Sequence, residues 1–154
     1  MLDRVDRKLL GILQENSSLS VAEMAELIPL SVTPCWRRLQ RLEKDGYVKR
    51  RVVLLDAKRL NLSVTVFIEI KTSQHSAQWL GSFVSAIEEI PEIIEVYRLS
   101  GHSDYLLKAV VPDVAAYDAI YKKLIANVDL FDVASSFAME TIKLTTSLPL
   151  DYAT

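Results

Sequence analysis

With 154 residues, half of them hydrophobic and a quarter charged, the chain can bury one or two small cores and is too apolar for a disordered tail. The formal net charge of −2 hides an uneven distribution: residues 1–60 carry 12 Lys+Arg against 8 Asp+Glu, and residues 61–154 carry 6 against 12. That pattern predicts a basic half with an anionic partner and an acidic half with another task.

Residues 3–16 read as a first helix, capped by Asp3, with Val5, Leu9, Ile12 and Leu13 on one stripe. Ser20 and Glu23 form a capping box that opens a second helix over residues 21–28. Met24, Leu27 and Ile28 are expected to point inward, Ala25 leaves room for a neighbouring helix, and Pro29 forces an end. A third helix is expected to start at Thr33, whose hydroxyl can cap it, with Pro34 where a missing N–H costs nothing. Cys35, Leu39 and Leu42 fall on one side of this helix, Arg37, Arg41 and Lys44 on the other, and Gly46 ends it. Two short helices, a tight turn and a third helix with a basic face make a helix-turn-helix. Residues 47–56, rich in Val and Leu, suit a strand or short hairpin, the wing of a winged variant. A turn of helix over residues 57–60 follows, with Asn61 as a left-handed cap. The predicted boundary lies here: a DNA-binding domain over residues 1–60 and a second domain over residues 61–154.

The second half alternates. Leu62, Val64, Val66, Ile68 and Ile70 interleave with more polar positions as a half-buried strand. Residues 76–90 are helical, with Trp79, Phe83, Ile87 and Ile90 on one face. Residues 93–99 and 105–111 are strands around a turn at Gly101, His102, Ser103 and Asp104. Pro112 and Asp113 open a helix carrying Val114, Tyr117, Ile120, Tyr121 and Leu124, and residues 133–143 are a last strand. The order β-α-β-β-α-β predicts an α+β ferredoxin-like domain with two helices on one sheet face. The other face, partly apolar, predicts a dimer through the sheets.

Several stretches carry a family pattern in this order: Leu2, Asp3, Asp6, Arg7, Lys8, Leu9 and Leu10; the run LSVTPCWRRL at residues 30–39; Arg41, Leu42, Glu43 and Gly46; Gly101, Asp104 and Tyr105; and Ser135, Ser136, Phe137, Ala138 and Met139. The chain resembles the Lrp/AsnC, or feast/famine, family of transcription regulators over essentially its whole length. The resemblance implies an N-terminal winged helix-turn-helix and a C-terminal ferredoxin-like effector domain. It also implies homodimers that assemble into octamers or larger rings, and a small effector of the amino-acid class bound between dimers. By that resemblance the effector site draws on Ser100, Gly101, His102, Asp104 and Tyr105, with Ser135 and Ser136 contributing from the last strand. Asp104 suits an ammonium, and a Gly101 N–H or a serine hydroxyl suits a carboxylate. An ordinary hairpin turn would use the same Gly and Asp. The family often places an acidic and then an aromatic residue where this chain has His102 and Ser103, which leaves the effector's identity open. It also more often has a residue other than proline at position 29.

DNA binding would place the third helix in the major groove. Ser31, Thr33 and Pro34 bring its N-terminal turn to phosphate. Trp36, Arg37, Gln40 and Arg41 are candidates for base edges and nearby backbone, because Arg pairs with guanine and Gln with adenine. Arg38, Lys44, Lys49, Arg50 and Arg51 suit phosphates. A solvated charged face would show the same charges. The expectation is that Arg37→Ala and Arg41→Ala each abolish operator binding with the fold intact, on a pseudo-palindromic double-stranded site.

The single cysteine, Cys35, excludes an internal disulfide and, without other chains, a cysteine zinc site; it reads as a small buried hydrophobe, with a redox-sensing thiol as the alternative. His102 in the turn raises a pH switch against the plainer reading of an exposed histidine, and His75 reads as surface. The rival class is an enzyme, a haem-biosynthesis decarboxylase of this architecture binding a tetrapyrrole instead of DNA. Two histidines and no catalytic triad, metal cluster or Gly-rich phosphate loop argue against it, so neither enzyme chemistry nor a cofactor is expected. No signal peptide is visible and no apolar run approaches the roughly 20 residues of a membrane span, which predicts a soluble cytoplasmic protein.

Overall fold

The computed structural model describes residues 1–153. The chain forms two compact units, one of Met1–Leu54 together with the chain from Lys143 onward, the other of Leu55–Ile142. The boundary expected at residue 60 therefore moves, and the C-terminal tail folds with the first unit rather than the second.

In the first unit, α1 (Arg4–Glu15) and α2 (Val21–Glu26) each begin with a capping box. The Asp3 carboxylate accepts the Asp6 N–H at 2.8 Å and Asp6 returns the bond to the Asp3 N–H at 3.1 Å; Ser20 and Glu23 do the same for α2. Helix α3 (Val32–Lys44) starts one residue earlier than expected, with Ser31 as N-cap and no side-chain cap bond. Thr33 is therefore inside the helix and does not cap it. Pro34 sits in the first turn, where its missing N–H still costs nothing, and the Cys35 N–H is bonded to Ser31 O at 3.1 Å. At the far end, the Gly46 N–H bonds Glu43 O and the Tyr47 N–H bonds Leu42 O. This Schellman pair requires the left-handed φ of +79° that Gly46 adopts.

The core of this unit gathers Leu2, Leu9, Leu10, Met24, Ala25, Ile28, Cys35, Leu39 and Leu42. Leu27, expected inside, is 50% exposed, because α2 ends at Glu26 and the following turn rotates it outward. Burial also raises the Cys35 thiol pKa, which makes the thiolate scarce and the residue a packing group. The expected wing strand over residues 47–56 is not formed: the segment has no ladder partner among the described residues, and Val52, Val53, Leu54 and Leu55 stand exposed. The tail closes the unit. Gln14 binds both backbone groups of Leu148, accepting its N–H at 2.6 Å and donating to its carbonyl at 3.1 Å. Leu150 packs onto the core beside Gly11.

In the second unit a short 3-10 turn, Lys58–Leu60, ends at Asn61 in the left-handed conformation, as its sequence suggested. Then come β1 (Val64–Lys71), α4 (Ala77–Glu88), β2 (Ile93–Arg98), β3 (Tyr105–Val111), α5 (Val114–Asn127) and β4 (Asp132–Phe137). The sheet order is β2-β3-β1-β4, all antiparallel, which is the ferredoxin-like arrangement. Ser76 and Asp113 cap the two helices. Val66, Ile68, Ile70, Leu107, Ala109 and Val111 meet Trp79, Phe83, Ile90, Ile120 and Leu124 in the core. Val114 is exposed in the first turn of α5. Strand β4 stops well short of residue 143, because its partner runs out: Phe137 pairs with Val66, and the Ala138 N–H takes the carbonyl of Thr65. The opposite sheet face presents Phe67, Glu69, Tyr97, Leu106 and Lys108, the last bonded to Glu95 at 2.8 Å.

Candidate nucleic-acid interface and effector turn

Burying Cys35, Leu39 and Leu42 turns the opposite face of α3 to solvent. Trp36, half exposed, and Arg37 and Gln40 project from it. Among the described residues the Arg37 side chain makes neither a hydrogen bond nor an ion pair, and the same holds for Lys44, Lys49 and Arg50, all exposed. Ser31, Thr33 and Pro34 are exposed at the N-terminal turn, where the free N–H groups of the helix start favour an anion. Arg51 is turned back, its guanidinium 2.9 Å from Glu43.

Arg38 and Arg41 behave differently from the expectation. Both reach across to α1. Arg38 bonds Asp6 at 2.8 Å and also Asp3, and Arg41 bonds the second Asp6 oxygen at 2.5 Å. Asp6 is only 1% exposed. The Asp6 backbone N–H, followed by the Arg38 side chain, holds the Asp3 carboxyl below the usual carboxylate range, and the two carboxylates raise the Arg38 pKa. Arg41→Ala would remove one of two charged partners from a buried carboxylate, so a cost in stability is expected beside any loss of DNA binding. Asp6 was missed in the sequence. Its place on the stripe that α1 buries could be read, three and four residues before Leu9 and Leu10, but its arginine partners could not.

The turn between β2 and β3 is closed by the Leu99 N–H on Asp104 O at 2.8 Å. Ser100, Gly101 and His102 are exposed on it. Asp104 is anchored twice: its N–H donates to Ile70 O of β1 at 2.9 Å, and its carboxylate accepts the N–H of Thr72, just past the strand, at 2.8 Å. One Asp104 oxygen is thus committed to the fold. His102 Nε2 lies 2.8 Å from Lys71 Nζ. Ser103, passed over in the sequence, is buried and donates to Glu69 at 2.6 Å. Tyr105 is buried too, its ring 4.7 Å from Phe83 and 5.8 Å from Trp79, so it belongs to the core side of the sheet. Ser135 and Ser136 point to opposite faces, as neighbours on a strand must. Ser135 bonds the Tyr117 hydroxyl on the helix side, and Ser136 pairs across from Phe67 on the open side. The turn and both serines therefore do not line one surface.

Among the described residues no helix is long and apolar enough to cross a membrane, and no cluster of three His, Cys, Asp or Glu residues could hold a metal ion.

Comparison with known proteins agrees with this two-part geometry. Residues 2–49 match a winged helix-turn-helix DNA-binding domain, and residues 65–148 match the Lrp/AsnC ligand binding domain. The chain is 48% identical over 152 residues to the DNA-binding transcriptional activator DecR of Escherichia coli, covering 98% of this chain and 100% of that one. It is 35% identical over 143 residues to the leucine-responsive regulatory protein of Klebsiella pneumoniae, covering 92% and 87%. Among solved structures, an AsnC family transcriptional regulator from Agrobacterium tumefaciens superposes with a TM-score of 0.95 at 56% identity over 99% of this chain and 100% of that one. A transcriptional regulator from Neisseria meningitidis, solved as a complex with L-Met, superposes with a TM-score of 0.93 at 36% identity over 98% of both chains.

Proposed function

The chain belongs to the Lrp/AsnC family of transcription regulators, DNA-binding proteins that are not enzymes, and on that premise we propose how its residues divide the work. The tetrapyrrole-binding decarboxylase is set aside, since the relatives are named as transcription regulators. Helix α3 reads the major groove through Trp36, Arg37 and Gln40, while Ser31, Thr33 and Pro34 at its start and Lys44, Lys49 and Arg50 beyond it meet phosphate. The observation that carries this is Arg37, exposed on the outward face of α3 with no partner among the described residues. Arg37→Ala is expected to weaken operator binding by about 1–3 kcal/mol, roughly 5- to 150-fold, as the loss of one bidentate base contact does. Fluorescence anisotropy against operator and scrambled duplex checks it, and an unchanged operator affinity removes Arg37 from the interface.

The second unit is the effector and assembly domain. An amino acid is the effector class that fits best: Ser100, Gly101 and His102 offer exposed donors, and Asp104 keeps one oxygen for an ammonium. The Neisseria relative's complex with L-Met supports that class. The open sheet face, with Phe67, Tyr97 and Leu106, packs against a second copy, and such dimers assemble further into octamers in the cytoplasm, each dimer spanning a pseudo-palindromic operator. Screening the amino acids by thermal shift, with sedimentation velocity on each hit, tests both parts. A binding amino acid at 100 times its Kd raises stability by about 2.7 kcal/mol. No shift at millimolar concentration, or a monomer in sedimentation, refutes the corresponding half.

A further inference from the structure

We propose that Asp6 is a positioning residue that sets the specificity of DNA binding, by holding Arg38 and Arg41 of the reading helix away from phosphate. The inference rests on the assignment of α3 as that helix. Asp6 lies on α1, is almost fully buried, and has both carboxylate oxygens filled: one by Arg38, the other by Arg41 and the Asp3 N–H. The two guanidiniums it holds are not themselves buried, with side chains 29% and 48% exposed. A surface arginine that near a DNA groove would otherwise swing freely to whichever phosphate is closest. Phosphate contacts add affinity for every sequence equally and carry no sequence information.

Helix α3 has four cations, Arg37, Arg38, Arg41 and Lys44. Two of the four are committed to Asp6, and Asp3 doubles the hold on Arg38. What remains for DNA is Arg37 on the outward face and Lys44 at the end. The same carboxylate bridges α1 to α3 at two points one helical turn apart, which fixes the angle at which Trp36, Arg37 and Gln40 are presented. Asp6 thus lowers indiscriminate attraction and aligns the residues that discriminate.

The test is the salt dependence of binding by the full chain carrying Asp6→Asn, measured on operator and on random duplex. Freeing two arginines is expected to steepen the slope of log affinity against log salt by about 2 per protomer. Random-duplex affinity should rise roughly tenfold at low salt, and the ratio of operator to random affinity should fall. Parallel loss of both affinities with an unchanged slope would overturn the proposal, because a brace that only supports the fold moves both together. Adding Arg38→Gln and Arg41→Gln to Asp6→Asn should return the slope to that of the unmodified protein. Arg41→Gln alone, which leaves Asp6 bonded to Arg38, covers the case in which Asp6→Asn does not fold. It should leave the slope in place, whereas Lys44→Gln lowers it by about 1. A slope that drops with Arg41→Gln shows Arg41 on phosphate and overturns the proposal. An Arg37→Ala protein that still binds operator normally would instead fault the assignment of α3.

Discussion

Replacing Arg38 and Arg41 together by alanine is expected to destabilise the first unit by about 3–5 kcal/mol, the cost of leaving a buried charge without its partners. Of the donors that now surround Asp6, only the Asp3 N–H at 3.1 Å would remain. Stabilities of small domains are of order 5–15 kcal/mol, so the unit would stand close to unfolding. Asp6→Asn is expected to cost much less, about 1 kcal/mol, because the guanidiniums it releases are already part-exposed and relax into water. The order of these two costs is the test. Urea unfolding followed by helical circular dichroism reads the first unit. Fluorescence of buried Trp79, in a background where exposed Trp36 is replaced, reads the second. A double variant as stable as Asp6→Asn would mean that water reaches the carboxylate and that the bridge is not a buried one.

This cluster also shows where reading the sequence stops. The Asp3 cap, the Ser20–Glu23 capping box, the Gly46 stop and the left-handed Asn61 were legible because their chemistry spans three or four residues. The β-α-β-β-α-β order was legible because the period of the apolar residues changes from 2 to 3.6 at each boundary. Asp6 was not legible as a buried anchor: its partners lie 32 and 35 residues away, and a lone acid on an apolar stripe reads as capping alone. The tail that binds Gln14 lies 134 residues from it, so no local pattern announces that contact. Residues 47–56 have the composition of a strand, but a strand also needs a neighbour, and composition cannot supply one. In the turn proposed for the effector the residue types suit an amino acid, while their directions were not readable. Tyr105 follows Asp104 directly and yet faces the core, and Ser135 and Ser136 part to opposite sides of the sheet.

Phe83→Ala is expected to cost the second unit about 3–5 kcal/mol, the range for removing a buried phenyl ring and leaving its cavity. The ring is 1% exposed, stacks on Trp79 with centroids 5.0 Å apart, and tilts against Tyr105. Tyr105 begins β3 immediately after Asp104, whose backbone and carboxylate pin the proposed effector turn to Ile70 and Thr72. Loosening the aromatic cluster therefore loosens the first residue of the strand on which that turn is hung, without touching the exposed residues that would meet a ligand. Phe83→Leu separates the two effects. It refills much of the cavity and forfeits the ring contacts, worth about 0.5–1.5 kcal/mol for an aromatic pair. The fold survives that loss, but a less fixed Asp104 has more freedom to surrender on binding, so the amino-acid-induced rise in melting temperature should shrink. Urea unfolding by Trp79 fluorescence measures the first effect and thermal shift with the best amino acid measures the second. A full ligand response in Phe83→Leu would show that the bonds of Asp104 to Ile70 and Thr72 are enough to hold the turn, and that the aromatic cluster supports the sheet alone.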